Sequence, residues 1–254
     1  METSEGLCDD CKKVGRQYQP GPQPLTPLGR HPMCGRYTLR SPAKLVAEVF
    51  KLLTVPDLKP RFNIAPTQQV PTVRTSPDTE GRELAFLRWG LVPSWADDPS
   101  IGNRMINARA DGVATKPSFR HAFKRQRCLV VADDFYEWQK VGTRKQPFYV
   151  RMKDGRPFGF AGLWERWERQ GEEIESCTII TTDPNELMKL IHDRMQVIIP
   201  PDRYDLWLNP KIRDRASVER LLTPYAPDGM EAYPVSTLVN SPANDVEKCV
   251  EKLG

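Results

Sequence analysis

The chain has 254 residues, of which 39% are hydrophobic and 28% are charged, with a formal net charge of +4. This composition is typical of a folded globular protein that is long enough to bury a substantial core. The longest apolar runs are too short to cross a bilayer, and no signal segment opens the chain. We therefore expect a cytoplasmic protein that has no contact with membranes.

Residues 1–32 are rich in proline and glycine and lack hydrophobic periodicity. We interpret them as a disordered or non-native N-terminal extension, and residues 33–254 as one folded domain. Cys8 and Cys11 form one half of a zinc-type pair, for which His31 and Cys34 are the other candidates. The long proline-rich gap between the two halves disfavours a zinc site. We expect no metal and no cofactor.

The rest of the chain reads as short strands with a few helices. Ser41-Pro42 predicts a helix start, and apolar residues then follow on one helical face as far as Leu53. Strands are predicted at 69–74, 84–89, 128–132, 135–139, 147–152, 158–164, 174–182 and 197–199. Further helices are predicted at 184–191, 202–208 and 216–222. This pattern favours an α+β fold with a mainly antiparallel, barrel-like β core and flanking helices.

Two features of the cysteines and basic residues bear on function. Cys128 and Cys177 lie in apolar strands, which predicts reduced thiols in the core. Between Arg104 and Arg127 the chain has seven Arg or Lys residues and one acidic residue, Asp111. This basic density suits a polyanion such as nucleic acid, although a solvated basic face without a ligand fits it equally well.

The pentapeptide Met33-Cys34-Gly35-Arg36-Tyr37 raises a specific chemical possibility. If translation starts at Met33 and the methionine is removed, Cys34 becomes the N-terminal residue and carries a thiol and an α-amine on adjacent carbons. Such a 1,2-aminothiol condenses with an aldehyde to an imine, which the thiol then closes into a thiazolidine ring. The alternative is a buried or incidental cysteine after an internal methionine.

Five further segments each place a polar residue in an apolar or turn-like context. They are Arg61-Phe62-Asn63-Ile64-Ala65-Pro66, Trp89-Gly90-Leu91-Val92-Pro93-Ser94-Trp95, Ile106-Asn107-Ala108-Arg109-Ala110, Phe135-Tyr136-Glu137-Trp138 and Ile191-His192-Asp193-Arg194-Met195. With the pentapeptide, and in this order across residues 33–241, they resemble the SRAP family, the SOS-response-associated peptidase or abasic-site processing proteins.

The resemblance implies a protein that binds single-stranded DNA and captures abasic sites covalently through a thiazolidine at its N-terminal cysteine. Cys34 would be the nucleophile, which requires that residues 1–33 are absent from the mature protein. Asn107 would position the reacting groups, and Glu137 and His192 would transfer protons. The resemblance also implies AP lyase and self-processing peptidase activities, and a protein that associates with the nucleoid when bound to DNA. Nothing in the sequence suggests an obligate dimer, so we expect a monomer.

The resemblance further implies which residues contact DNA. Three arginines would hold phosphates, and three other residues would form a stacking or wedging surface beside the missing base. The first set is Arg36, Arg109 and Arg194, and the second is Asn63, Pro66 and Trp95. Trp89 is instead expected in the core. The chain departs from the family pattern at Ala96, where a second aromatic residue is frequent, and at Gln196, where proline is frequent.

Two other functions stay open from the sequence. Cys34, His192 and either Glu137 or Asn107 have the residue types of a thiol–imidazole system, so a cysteine peptidase is one alternative. A non-catalytic module that binds single-stranded DNA is the other, and it would follow if residues 1–32 stayed attached and blocked the amine of Cys34.

Overall fold

The computed structural model describes residues 35–212 and 214–254. The N-terminal extension and the four zinc candidates, which include Cys34, therefore lie outside the described residues. The predictions made for them stay predictions. Among the described residues, no helix is long and apolar enough to cross a membrane.

The described residues contain thirteen strands and five short α-helices. The strands are β1 (Arg36–Leu39), β2 (Arg61–Ile64), β3 (Gln69–Thr75), β4 (Arg82–Trp89), β5 (Asn107–Arg109), β6 (Arg127–Ala132), β7 (Asp134–Val141), β8 (Arg144–Met152), β9 (Phe158–Arg169), β10 (Glu172–Thr182), β11 (Met195–Gln196), β12 (Ile198–Ile199) and β13 (Met230–Pro234). The helices are α1 (Ala43–Phe50), α2 (Ala110–Val113), α3 (Arg120–Arg125), α4 (Tyr204–Leu208) and α5 (Arg215–Glu219).

The larger sheet closes on itself as a barrel. Its strand order is β11-β10-β4-β3-β6-β9-β12, and β10 also pairs with β9, so that β10, β4, β3, β6 and β9 form a ring. Within the ring only β10 and β4 run parallel, and the other neighbours are antiparallel. The predicted α+β fold with a mainly antiparallel barrel is confirmed.

The smaller sheet has the order β13-β8-β7-β1-β2 and carries the beginning of the described chain in its interior. β1 pairs with β7 on one side and with β2 on the other, so Arg36 lies opposite Tyr136 and Tyr37 lies opposite both Phe135 and Ile64. The main hydrophobic core fills the barrel and the space between the sheets. A second cluster, built around Tyr136, lies on the outer face of the smaller sheet.

Every strand predicted up to residue 182 is present, and Cys128 and Cys177 are buried free thiols as predicted. The predicted strand at 197–199 is present as β12 (Ile198–Ile199), and β11 directly before it was not predicted. The first helix is shorter than predicted: α1 ends at Phe50, and Leu53 beyond it is fully exposed. Ser41 does not cap this helix, because the helix begins at Ala43 and Pro42 occupies the N-cap position. The backbone N–H of Ser41 donates to the carboxylate of Asp133 at 2.7 Å.

The predicted helix at 184–191 is wrong. Only one 3₁₀ turn forms there, at Met188–Leu190. The side chain of Asn185 explains the difference, since its Oδ1 accepts from the Met188 N–H at 2.9 Å while its Nδ2 donates to the Tyr225 carbonyl at 2.8 Å. These contacts start the turn late and hold it against the neighbouring loop, where tertiary packing outweighs the weak local helix preference.

Candidate active site

The first described residues of β1 are fixed by a buried polar cluster. Arg36, which is 9% exposed, donates to Asn63 Oδ1 at 2.9 Å and to the carbonyls of Val239 and Asn240 at 2.7 and 3.1 Å. Its guanidinium also lies 6.0 Å from the ring centre of Trp138. Burial lowers the pKa of Arg36, but the group stays charged because its ordinary pKa is very high.

Asn63 is the hub of the same cluster. It is fully buried, and its Nδ2 lies 2.8–3.1 Å from the carbonyl oxygens of Val239, Ser241 and Asn244. Asp245 completes the arrangement by accepting from the backbone N–H of Asn63 at 2.9 Å. The motif at 61–66 therefore contacts the segment 239–245, and together they fix the start of β1.

These contacts bear on the predicted DNA contacts of Arg36 and Asn63. Both side chains are buried and bonded to protein, so a direct contact with DNA would first have to break several hydrogen bonds. Pro66 is half-buried in the turn that follows β2, and the next residue, Thr67, donates its N–H to the Trp89 carbonyl at 2.8 Å. Trp89 is buried, as the sequence indicated, and carries no exposed surface for a ligand.

Glu137 lies on β7 beside the point where β1 begins. The register that pairs Arg36 with Tyr136 brings Gly35 opposite Glu137 when it is continued by one residue. Because side chains alternate along a strand, Tyr136 and Trp138 face the second hydrophobic cluster and Glu137 faces the opposite side. Glu137 is only 1% exposed. It is therefore not an ordinary solvent-exposed strand glutamate.

Asn107 is connected to β1 through two buried aromatic rings. The ring of Tyr37 lies 5.5 Å from the ring of Trp89, centre to centre, and the Trp89 indole N–H donates to the Ile106 carbonyl at 2.9 Å. Asn107 follows directly as the first residue of β5, where it pairs in parallel register with Ile179. The half-buried Asn107 side chain is thus placed by core packing rather than by a flexible turn.

His192 follows the 3₁₀ turn and not the end of an α-helix, which is where the predicted helix at 184–191 would have placed it. Its Nδ1 lies 3.1 Å from the N–H of Arg194 and 3.1 Å from a carboxylate oxygen of Asp193. Nδ1 is the acceptor in the first contact and the donor in the second. This nitrogen of His192 therefore has a partner in either role.

A link that the sequence did not indicate joins this turn to β7. Gln139, two residues after Glu137 on the same face of the strand, donates its Nε2 to the Leu190 carbonyl at 2.6 Å. Gln139 and His192 also line one shallow surface pocket together with Leu190. Glu137 and His192 are therefore carried by two elements that contact each other. The period of two along β7 was the only sequence signal that could have identified Gln139.

The two predicted phosphate-binding arginines that follow Asn107 and His192 meet at Thr181 of β10. Arg109 pairs with Thr181 in the sheet, and Arg194 Nη2 donates to the Thr181 carbonyl and hydroxyl at 3.0 and 2.6 Å. Arg194 is buried, whereas Arg109 is exposed and forms an ion pair with Asp111 at 2.6 Å. That ion pair raises the pKa of Arg109. Of the three arginines predicted to hold phosphates, Arg109 is therefore the one whose side chain is exposed, and its solvent-screened ion pair contributes little to stability.

The predicted basic segment divides in two. Arg127 is buried and donates to the carbonyls of five residues, which are Phe123, Lys124, Trp207, Asn209 and Ile212. Burial lowers its pKa to about 10. Including Arg127 in a surface field for a polyanion was wrong, because its charge serves to bind loop carbonyls. The other six basic residues are exposed, namely Arg104, Arg109, Lys116, Arg120, Lys124 and Arg125.

Trp95 is 55% exposed and lies in an excursion of the chain, residues 91–105, that we call the Trp95 loop. The N–H of Leu91 donates to the Met105 carbonyl at 3.1 Å, which closes the loop at its base directly before Ile106 and Asn107. At this base a Cβ on Gly90 would lie 2.6 Å from the Gly102 carbonyl oxygen, so a side chain would prevent the closure. The exposed tryptophan and the candidate active site thus share one anchoring point.

Comparison with known proteins identifies close relatives. The model of the family described as "SOS response associated peptidase (SRAP)" matches residues 33–242. A protein named "Abasic site processing protein YoqW" from Bacillus subtilis is 45% identical over 224 residues, covering 86% of this chain and 99% of its own. "Abasic site processing protein HMCES" from Xenopus tropicalis is 31% identical and covers 76% of this chain and 66% of its own.

Solved structures agree with the sequence comparison. A crystal structure of a protein from Bacteroides thetaiotaomicron matches with a TM-score of 0.75 at 29% identity, covering 87% of this chain and all of its own.

Proposed function

Because the chain belongs to the SOS response associated peptidase (SRAP) family, we propose that it processes abasic sites in DNA. Two relatives of different origin carry the name of abasic site processing proteins, and one of them matches almost from end to end. In our proposal the reaction is covalent capture. The α-amine and thiol of Cys34 react with the aldehyde of the ring-opened deoxyribose in single-stranded DNA.

The proposed chemistry has three steps. The Cys34 amine adds to the aldehyde carbon to give a carbinolamine, which loses one water to form an imine. The thiol sulfur then adds to the imine carbon, and its proton passes to the nitrogen, which closes the thiazolidine. The net change is loss of one water. Addition and dehydration both need a proton donor and acceptor within reach, which typically contributes roughly 10²–10⁴-fold to the rate.

The observation that carries this proposal is the position of Glu137 at the start of β1. A carboxyl group that is 1% exposed stands opposite Gly35 in the continued register, and Cys34 is bonded directly to Gly35. A buried carboxyl is suited to hold or release a proton beside a reacting amine. We assign this proton transfer to Glu137, with His192 as the second proton-transfer group and Asn107 as the residue that orients the sugar.

The polar cluster around Arg36 supports the proposal in a different way. Covalent capture requires the reacting residue to be held in position, and Arg36 is only two residues from Cys34. We assign to Arg36 and Asn63 the role of fixing β1, through their bonds to the carbonyls of 239–244. Arg109 then supplies an exposed cation for a phosphate of the damaged strand, and Trp95 supplies an exposed aromatic surface for a base.

The test is an intact-mass measurement on the protein made from its own gene, before and after incubation with an abasic single-stranded oligonucleotide. We expect a protein that begins at Cys34 and a one-to-one adduct whose mass is the sum of both molecules less one water. Cys34→Ala keeps the α-amine, so it should form at most an imine that hydrolyses on dilution, with no stable adduct, and it should still bind a non-reactive abasic analogue. A protein that retains residues 1–33 and forms the same adduct would overturn the amine chemistry.

Glu137→Gln separates proton transfer from binding. We expect it to slow adduct formation at saturating oligonucleotide by about 10²-fold or more while the affinity for the analogue stays unchanged. Glu168→Gln is the matched control, since it makes the same change at an exposed strand position far along β9. If both variants react at the wild-type rate, Glu137 has no part in the chemistry.

A further inference from the structure

One face of β9 contacts the loop that carries the exposed Trp95. Side chains at alternate positions of a strand point the same way, and Glu165, Trp167 and Arg169 occupy three successive positions of this kind. Each of them contacts a different residue of the Trp95 loop. We call these three residues the β9 ladder.

The first contact of the β9 ladder is Glu165. Its carboxyl group lies beside the Ser94 side chain, and His121 Nδ1 on α3 lies 3.4 Å from the same group. Glu165 is 4% exposed, and burial raises its pKa. Burying a carboxyl outside the barrel core costs stability unless it is compensated by such partners. Ser94, on the N-terminal side of Trp95, thus lies beside the buried carboxyl group of Glu165.

The second contact is Trp167, which holds the residue on the other side of Trp95. Its indole N–H donates to the Ala96 carbonyl at 2.8 Å, and its ring packs against Val92 and Ala96 in a small hydrophobic cluster separate from the main core. The cluster explains the departure at Ala96. This side chain is buried against Trp167, so position 96 contributes no surface beside Trp95.

The third contact is an ion pair between Arg169 and Asp97 at 2.7 Å. Residues 96 and 97 are therefore bonded to the β9 ladder and Ser94 lies beside it, whereas the Trp95 side chain between them projects into solvent. An exposed tryptophan on a free loop would lose conformational freedom when it stacks on a base, and holding the loop beforehand removes part of that cost.

We propose that Glu165, Trp167 and Arg169 are positioning residues that present Trp95 to a base of single-stranded DNA next to the abasic site. This inference rests on the proposed function, and it goes further by assigning DNA affinity to residues on the outer face of the barrel. The six exposed basic residues of 104–125 include Arg120, Lys124 and Arg125 on α3, and α3 reaches the β9 ladder through His121. The DNA backbone can therefore follow this helix beside Trp95.

A double-mutant cycle tests the proposal, with the Kd for an oligonucleotide containing a tetrahydrofuran abasic analogue as the readout. Trp95→Ala should weaken binding about tenfold, as expected for the loss of one stacked base. Trp167→Phe and Arg169→Gln should each weaken it about two- to fivefold. In the Trp95→Ala background neither should have a further effect, because both act through Trp95.

Two matched controls separate positioning from general damage. Tyr233→Phe also removes a bond from an aromatic side chain to a backbone carbonyl, at 3.1 Å to Val250, but lies on β13 of the smaller sheet, away from the loop and from α3. Arg166→Gln removes a guanidinium of similar exposure on the opposite face of β9, where it pairs with Glu173 and Glu175. Both should leave the affinity unchanged in either background.

Hydrogen exchange gives a second readout that does not depend on DNA. The amides of residues 94–98 should exchange faster in Trp167→Phe and Arg169→Gln, and at the wild-type rate in both controls. If Trp167→Phe fails to fold, the exposed Arg169→Gln decides the result. The proposal is overturned if the ladder variants leave binding unchanged, if they weaken it equally with and without Trp95, or if Trp95→Ala binds like wild type. If instead the wild-type protein binds no abasic DNA, the proposed function fails first.

Discussion

The role that we assign to Asn63 leads to a quantitative prediction. Asn63→Ala removes a carboxamide whose Nδ2 serves the carbonyls of residues 239, 241 and 244 and whose Oδ1 accepts from Arg36. An amide group has only two hydrogens, so its three carbonyl contacts share them and count as two full bonds. With the bond from Arg36, the substitution removes three.

A net hydrogen bond in a protein contributes about 1 kcal/mol, and a buried partner left unpaired adds further cost. We therefore expect Asn63→Ala to lower the free energy of unfolding by about 3–5 kcal/mol. A typical domain has about 5–15 kcal/mol available, so the variant should still fold at low temperature. The matched control is Asn103→Ala, which removes one exposed bond from Arg88 and should change stability by less than about 0.5 kcal/mol.

The assay is urea unfolding followed by tryptophan fluorescence, with analogue binding measured on the fraction that is folded. We expect a large loss of stability in Asn63→Ala and a near-normal affinity in the folded protein. The original prediction from the sequence, a direct contact of Asn63 with DNA, demands the reverse. A variant with wild-type stability and at least tenfold weaker binding would refute the structural role and support that contact.

Three other changes test separate parts of the structure. Arg127→Ala should lower the free energy of unfolding by about 3–5 kcal/mol, since charge-assisted bonds to five carbonyls are lost; an unfolding curve like that of the wild type would contradict this. Burial raises the pKa of Asp134 despite its bonds to Tyr149 and Arg40, so as pH rises from about 4 the unfolded chain releases this proton first. Stability should therefore fall with rising pH until the native group has also ionised, and Asp134→Asn should flatten that part of the pH profile. Arg109→Ala should weaken binding to abasic single-stranded DNA and reduce the slope of log K against log salt by about 0.7, and an unchanged slope would exclude a phosphate contact.

Much of the fold could be predicted from local patterns. The strands that line the barrel contain apolar runs bounded by turn residues, and β6 is buried along its whole length. Such runs are recognisable because each strand carries its own signal. Helix ends were less predictable. The segment 184–191 has a reasonable helix start, but Asn185 bonds to Tyr225, and a contact forty residues away is not visible in a local pattern.

The candidate site was found by motifs, whereas the roles of its residues required the structure. The family resemblance implies that Arg36 and Asn63 contact DNA, and polar residues of these types are usually exposed. The structure shows both buried against the segment 239–244, about 180–200 positions later in the chain. Gln139 and the β9 ladder escaped notice for the opposite reason, since glutamine, glutamate and arginine on a strand are ordinary surface residues until their partners are known.

Two independent supports meet at the peptide between Ile106 and Asn107. From inside the barrel, Tyr37 of β1 packs on Trp89, and the Trp89 indole holds the Ile106 carbonyl. From outside, the Trp95 loop closes through Leu91 and Met105, one residue earlier. The strand that carries the proposed nucleophile and the loop that carries the proposed stacking surface are thus joined to one short segment of backbone. A change that shifts this segment should therefore reduce both the rate of capture and the affinity for DNA, whereas a change on β7 should affect only the rate. The ratio of the effect on the rate to the effect on the affinity then measures where a substitution acts.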